Sequence, residues 1–570
     1  MTRARAAPLQ EDRNTLRSRS ALLEAPVRPM IGFLMAFLAA GDASAATLFL
    51  GPFLREVGPD RAVIGFQTDV APTTAEIEYG ETDAFGSKVA AQTVGVWTEI
   101  AVTGLPPKSL RHYRIVLDGV PVGRTGTFVT APATPEPFTF LLYGDTRSDP
   151  DAHALVVARM LERPAAFLIN TGDLVENGGK DVLWQGFMSS LEELVGDMPF
   201  YAVVGNHDLD ADGPPDNFIR YVGPLASENA NLTYRIQDWA GVRLIYLDRF
   251  WAGTIDTDCY IRTGGFEFCF DKPQMVWLMA QLEAARTDPK VRDVLIVVHE
   301  GPYSSEPDRN GSAEMRLLMN DFARSKVRAV LSGHDHYYEH GIAGNGLHYV
   351  VTGGGGAPLY DTIPKEGPNV PAHQVVMSMK AYHFLSVAVT ADKMEFTTYL
   401  ADGTEIESFE VVPPPPCTAP ADCPAQQAGW CVGKSECSDE HRCVWACDPP
   451  PECQDETICD MKTPVEDCPG VWSCVDARCV FTCDAQPDLA TSTDVPAVTD
   501  VPAVDDVPAV DNPPTPDPGT TGDTGPVTPP DASPPATKSG GCTAGSSVAT
   551  PVALLPLLLM LPLALRRRRA

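Results

Sequence analysis

The chain has 570 residues, with 75 acidic against 43 basic side chains and a formal net charge of −32. That excess of carboxylates argues against a nucleic-acid-binding protein, since phosphate backbones are held by Lys/Arg surfaces. An apolar fraction of 44% excludes a chain disordered throughout. Twelve of the 15 cysteines lie between Cys417 and Cys483, which favours disulfides and an oxidising compartment.

At the amino-terminal end Arg28 precedes an apolar run over residues 30–40, and Ala43-Ser44-Ala45 supplies a small-residue cleavage pattern. Residues 1–46 therefore read as a signal peptide region, with Met30 as an alternative initiator. Residues 47–132 carry short alternating runs with turn residues between them, such as Ala62-Val63-Ile64-Gly65-Phe66 and His112-Tyr113-Arg114-Ile115-Val116-Leu117. Period-two patterning at this spacing predicts an all-β sandwich.

Between residues 138 and 412 the pattern changes. Buried-strand runs end in polar signatures: 138–143 in Gly144-Asp145, 167–169 in Gly172-Asp173, and 201–204 in Gly205-Asn206-His207-Asp208. The run 294–298 ends at His299, and 327–331 at Gly333-His334-Asp335-His336. A helix is expected over 152–162, and the alternation of residues 348–412 should complete a two-sheet core. Polar groups gathered where strands end are the site layout of an open α/β sheet. Cys259 and Cys269, ten positions apart, suggest a disulfide-closed loop at the pocket rim.

The cysteine block is duplicated. The gaps within 417–447 are 5, 7, 5, 5 and 3 residues, and within 453–483 they are 5, 8, 5, 4 and 3. Two modules of three disulfides each fit, with fifteen possible connectivities per module. Zinc is the rival reading, but no CxxC pair occurs. Residues 484–541 are rich in Pro, Thr and Asp and should form a disordered, extended stalk. Residues 542–570 begin at Cys542, continue through an apolar stretch of 18 residues (548–565) interrupted only by Thr550, and include Arg566 to Arg569. The apolar stretch meets the lower limit for a spanning helix, with the arginines cytoplasmic. This arrangement resembles the myxobacterial MYXO-CTERM sorting signals, which implies secretion and retention at the outer cell surface. A plain membrane anchor is the alternative.

The chemistry-bearing residues fit a dinuclear metal centre. Carboxylate, amide oxygen and imidazole suit hard or borderline cations, and a shared carboxylate can bridge two ions at ~3.5–4 Å. Asp173 suits the bridge; Asn206, His299, His334 and His336 supply the other donors. In an extended segment His334 and His336 project to the same side. The ions would lower the pKa of a bridging water and generate hydroxide for attack on phosphorus.

Asp145, Asp173, Asn206-His207, His299 and His334-x-His336 together resemble the calcineurin-like metallophosphoesterases, over nearly all of residues 138–412. With Gly104-Leu105-Pro106 and Tyr113-Arg114-Ile115 in a fibronectin-III-like sandwich before it, the resemblance is closest to the purple acid phosphatase branch. It implies a two-sheet α/β sandwich flanked by helices and two ions (Fe, Zn or Mn). Asp145, Asp173 and His336 would hold the first ion, and Asp173, Asn206, His299 and His334 the second. His207 would protonate the leaving oxygen, with Asp208 orienting its ring.

Two departures stand out. The purple enzymes have Tyr three residues after the bridging Asp, where this chain has Glu176, and other members have His where this chain has Arg147. The first ion is therefore one protein ligand short. His153 can fill the gap if its loop folds back; a solvent-exposed His is the alternative. Arg147 suits a phosphoryl clamp, with a surface ion pair as its alternative. Tyr303 is expected in packing, His340 and His348 as non-ligands, and Gly353 to Gly356 as a tight turn. The leading expectation is a surface-tethered, acid-phosphatase-like phosphomonoesterase whose partners are a phosphate ester and, through its C-terminal segment, the membrane. The alternatives are a phosphodiesterase acting on nucleotides or lipid headgroups, and an inactive display or adhesion protein.

Overall fold

The computed structural model describes residues 45–209, 214–223, 233–254, 259, 268–364, 373–425, 431–439 and 441–448, and the backbone of 470–475 and 478–483. The expected signal region up to residue 44, the stalk and the C-terminal segment lie outside the described residues. Among the described residues no helix is long and apolar enough to cross a membrane.

Seven strands come first: β1 (Leu48–Val57), β2 (Arg61–Thr68), β3 (Ala75–Gly80), β4 (Ser87–Ala90), β5 (Trp97–Thr103), β6 (Leu110–Leu117) and β7 (Val120–Val129). They form two antiparallel sheets, β1-β2-β5 and β4-β3-β6-β7. The alternation read from the sequence places Ile64, Phe66, Ile77, Ile100, Val102 and Ile115 inward, all fully or nearly fully buried. This all-β region does not hang free. Its core continues into Phe140, Phe167, Tyr201 and Tyr246 of the following domain. The Tyr113 hydroxyl donates to the Gly196 carbonyl at 2.6 Å, and Arg55 Nη2 donates to the Gly223 carbonyl at 3.0 Å.

The next strands are β8 (Phe138–Tyr143), β9 (Leu168–Asn170), β10 (Phe200–Ala202), β11 (Arg235–Trp239), β12 (Val242–Leu247), β13 (Gly253–Thr254), β14 (Cys269–Phe270) and β15 (Asp293–Glu300). After them come β16 (Val327–Gly333), β17 (Tyr338–Ala343), β18 (His348–Thr352), β19 (His373–Met379), β20 (His383–Val389), β21 (Met394–Leu400) and β22 (Glu405–Val411). The helices are α1 (Pro150–Met160), α2 (Asp181–Ser190), α3 (Glu192–Val195), α4 (Asp216–Tyr221), α5 (Lys272–Thr287) and α6 (Ala313–Ala323). Asp149, Asp271 and Ser312 cap α1, α5 and α6 by accepting Ala152, Gln274 and Met315 N–H groups.

Two large sheets result, β10-β9-β8-β20-β21-β22 and β11-β12-β15-β16-β18-β17-β19. Strands β8, β9 and β10 run parallel, as do β12, β15, β16 and β18. The parallel strands are buried on both faces, which explains their near-continuous apolar runs. In β15, Leu295 and Val297 face the other sheet, whereas Val294, Ile296 and Val298 pack under α5 and α6. In β8, Phe140 and Leu142 face inward, and Leu141 and Tyr143 pack under α1 and α2. The architecture is therefore helix, sheet, sheet, helix, as expected of a mixed α/β metallophosphoesterase sandwich.

The cysteine-rich region follows. Cys417–Cys437, Cys423–Cys443 and Cys431–Cys447 join first to fourth, second to fifth and third to sixth. The hairpin β23 (Gly433–Cys437) and β24 (Cys443–Cys447) lies against α6. There Asn320 and Cys447 exchange two hydrogen bonds, at 2.9 and 3.1 Å, and Arg324 pairs with Glu436 at 2.9 Å. The pairing of the second module's cysteines lies outside the described residues. Its backbone hairpin, β25 (Gly470–Val475) and β26 (Arg478–Cys483), sets Gly470 opposite Cys483, as Gly433 stands opposite Cys447. The expected Cys259–Cys269 disulfide is present.

Candidate metal centre

All five polar signatures lie at the carboxyl ends of parallel strands. Asp145 follows β8, Asp173 lies beyond β9, Asn206 opens a turn (Asn206–Asp208) after β10, His299 lies near the end of β15, and His334 follows β16. Asp145, Asp173 and His334 each come directly after a glycine and take left-handed backbone, with φ of 55°, 55° and 69°. Such conformations cost non-glycine residues of the order of 1 kcal/mol or more and concentrate at functional sites. The segment at His334 is thus bent rather than extended, which corrects the expectation for His334-x-His336. The two rings still reach the same pocket, but by a turn and not by strand alternation. Gly172 is required twice over: its φ is +101°, and a Cβ there would lie 2.5 Å from His299 Nδ1.

The donor atoms close on one another. His299 Nε2 lies 3.3 Å from Asp173 Oδ1 and 3.2 Å from His334 Nδ1, which is itself 3.1 Å from Asn206 Oδ1. His336 Nε2 lies 3.4 Å from Asp145 Oδ1. One ligand atom from each of Asp145, Asp173 and His299 falls within 4.8 Å of the others. His299 Nδ1 donates to the Thr171 carbonyl at 2.7 Å, and His336 Nδ1 to the Pro358 carbonyl at 2.8 Å. Those bonds occupy Nδ1 of each ring and leave Nε2 facing the pocket, the orientation of metal-binding imidazoles.

The electrostatics fit a cation. Burial alone would lower the His299 pKa, but the carboxylates of Asp173 and Asp145 and the Thr171 carbonyl raise it to about 10. Burial and the neighbouring His299 hold His334 well below the usual range. Asp173 is also lowered, since His299 and the His207 N–H outweigh its burial. Metal–ligand bonds of about 2 Å place adjacent donors about 3 Å apart, the spacing seen here. Hard oxygens with imidazole nitrogens suit Fe, Zn or Mn.

The remaining expected residues divide. His207 is part-exposed at the rim, and its Nδ1 donates to the Glu176 carbonyl at 3.0 Å. Asp208 does not orient that ring. Its carboxylate, fully buried, accepts the N–H groups of Asp173 and Gly205 at 2.9 Å, Leu174 at 2.8 Å and Val175 at 3.3 Å. Burial and the charge on Asp173 push its pKa up to about 8 against the pull of those N–H donors. Asp208 is a clamp on the Asp173 loop.

His153 is neither a ligand nor solvent-exposed. It shares the buried stripe of α1 with Ala152, Val156, Val157 and Met160. Its ring stacks between Tyr143 and Phe187, and its nitrogens face the Tyr143 and Ser190 hydroxyls at 3.4 Å. Arg147 lies over the pocket. Its Nε donates to Asp173 Oδ2 at 3.2 Å and its Nη1 to Glu176 Oε2 at 3.0 Å.

The sequence reading missed Phe250 and Tyr360. Phe250 lies 5.6 Å from the His299 ring and 6.0 Å from His334, and Tyr360 stacks on His336 at 4.0 Å. No sequence signal marks either. Gly353 to Gly356 brace the first loop: Gly355 N–H donates to the Gly144 carbonyl and Ala357 N–H to the Asp145 carbonyl, both at 2.8 Å. Tyr303 packs on Tyr349 and His373, while His340 and His348 bond to each other and His340 to Glu407, away from the pocket.

Comparisons with known proteins agree with this geometry. Residues 138–338 match the calcineurin-like phosphoesterase model, and residues 45–133 match a domain of unknown function, DUF7800. The uncharacterized protein Rv2577 of Mycobacterium tuberculosis is 26% identical over 329 residues, which cover 50% of this chain and 60% of that protein. The match thus spans less than two thirds of that relative's length. Among solved structures, purple acid phosphatase PPD1 from yellow lupin (Lupinus luteus) seeds superposes with a TM-score of 0.52 at 16% identity, covering 65% of this chain and 74% of that one. PhoD superposes with a TM-score of 0.50 at 12% identity, covering 65% and 94%. With its strand-end donors gathered into one pocket, the chain carries a calcineurin-like metallophosphoesterase domain over residues 138–338.

Proposed function

We propose that this protein hydrolyses phosphate esters, preferentially monoesters, with two metal ions resident in the pocket. The observation that carries the reading is the ring of donors from Asp173, Asn206, His299 and His334, spaced 3.1–3.3 Å apart, beside the Asp145–His336 pair. Two bound cations supply Lewis acidity and bring the pKa of water towards neutrality. In this reading Asp145, Asp173 and His336 would hold the first ion, and Asp173, Asn206, His299 and His334 the second. Arg147 binds phosphoryl oxygens through its guanidinium fork. His207, its Nδ1 fixed by the Glu176 carbonyl, delivers a proton from Nε2 to the leaving oxygen, a contribution of about 10²–10⁴-fold.

Arg147, paired with Asp173 and Glu176, and Arg309, paired with Asp335 and lying over Tyr360, bring guanidinium groups to the cleft of an otherwise acidic chain. The reading also puts the enzyme at the outer cell surface, tethered by residues 542–570. The four disulfides among the described residues support an oxidising compartment.

Metal analysis and turnover of para-nitrophenyl phosphate and its bis-ester by the purified protein test the proposal. Two metals per chain, with turnover abolished by His207→Ala, are expected. Faster bis-ester turnover would reassign the protein as a phosphodiesterase. Less than one metal and no turnover would make it a display protein.

A further inference from the structure

We infer that Glu176 is a positioning residue that sets Arg147 for the phosphoryl group and so tunes the site towards monoester dianions. The inference rests on the function proposed above and extends it to a residue with no part in the metal ligand set. Glu176 stands three residues beyond Asp173, where a tyrosine ligand would belong in the purple enzymes, yet its carboxylate turns to Arg147. Oε2 accepts Arg147 Nη1 at 3.0 Å and also meets the Ser148 hydroxyl. Ser148, itself at a φ of 74°, accepts Arg147 Nη1 at 3.3 Å through Oγ. The Arg147 side chain is 11% exposed and that of Glu176 52%, so the carboxylate stands on the solvent side and the guanidinium on the pocket side.

The second anion holding Arg147 is Asp173, through Oδ2 at 3.2 Å. In the proposed ligand set Asp173 is shared by both ions, so cations bound there would compete with the guanidinium for its charge and repel it. Glu176 is then the anchor that keeps Arg147 over the pocket. The same residue's carbonyl holds His207 Nδ1 at 3.0 Å. One residue therefore sets both the cation that would bind the ester oxygens and the acid that would serve the leaving group. A monoester dianion has one more charged oxygen than a diester for that cation to bind.

The test is a double-mutant cycle on the metal-loaded full chain, read by kinetics and by calorimetric binding of inorganic phosphate. Glu176→Ala should raise KM for para-nitrophenyl phosphate about tenfold, the scale of one charge-assisted hydrogen bond. It should weaken phosphate binding alike and leave two metals bound, with a smaller effect on kcat, because the backbone carbonyl that holds His207 is kept, and a smaller effect on bis-ester turnover. Glu176→Gln should fall between wild type and Glu176→Ala. The double variant with Arg147→Ala should be no worse than Arg147→Ala alone. If the wild type turns over but Glu176→Ala binds phosphate normally, sheds metal, or multiplies the Arg147→Ala defect, the inference fails. Absence of turnover and metal in the wild type would instead sink the proposed function.

Discussion

His299 Nε2 and His334 Nδ1 face each other at 3.2 Å, and Asn206 Oδ1 lies 3.1 Å from the same His334 nitrogen. Because the other nitrogen of His299 is committed to Thr171, Nε2 is the atom left to face a cation, which would displace its proton and be shared with His334 Nδ1 and Asn206 Oδ1. His299→Ala or His334→Ala should lower the metal content from two ions to one or fewer per chain. Chelation of the wild type should lower its Tm, and re-addition of metal should restore it, because ligands that bind only the native state stabilise it by mass action. A Tm indifferent to chelator would count against the site.

Gly172→Ala tests a close approach in the pocket. A methyl group 2.5 Å from His299 Nδ1, on backbone at a φ of +101°, must displace the imidazole or the Asp173 loop. The expected outcome is loss of metal together with destabilisation of about 2 kcal/mol or more. Metal analysis and denaturant unfolding would measure the two effects separately.

Asp208→Ala should unfold more readily, not merely react more slowly. The carboxylate accepts four buried N–H groups, and leaving donors of this kind unsatisfied costs about 1–3 kcal/mol each. Denaturant unfolding of the metal-free variant should show a loss of about 3 kcal/mol or more. A variant as stable as the wild type, with only its pH–rate profile altered, would restore the ring-orienting role.

His153 predicts an acid branch in stability. Burial lowers its pKa to about 4, against an ordinary histidine value of 6.5. Between those values the unfolded chain binds a proton that the native state refuses. Stability present above pH 6.5 is therefore lost as the pH falls towards 4, to a total of about 3 kcal/mol. His153→Phe, which preserves the stack on Tyr143 and Phe187, should flatten that branch relative to wild type and leave two metals bound. A loss of one metal would return His153 to the ligand set.

The strands, the two-sheet core and the gathering of Asp145, Asp173, Asn206, His299, His334 and His336 were legible in the sequence, because each donor lies within a few residues of the end of an apolar run. That pattern fixes where a strand stops and leaves the next side chain at the sheet's edge. His153 was legible too, by its helical spacing from Val156 and Val157, but the missing ligand drew the reading elsewhere. The Asp208 error has another origin. Its partners are backbone N–H groups around residues 173–175, and a sequence does not display which carboxylate a loop has folded around. Phe250, Tyr360 and the disulfide connectivity depend on contacts between distant segments and leave no local pattern.

The strand order of the six-stranded sheet has a consequence for biogenesis. β8, which carries the Asp145 loop, lies between β9 and β20, so its second neighbour emerges only near the end of the domain's synthesis. Residues 138–338 alone would leave that edge open, and the pocket's floor would lack its support. The folded unit that supports the Asp145 loop therefore extends to residue 389 and is longer than the stretch that matches the family.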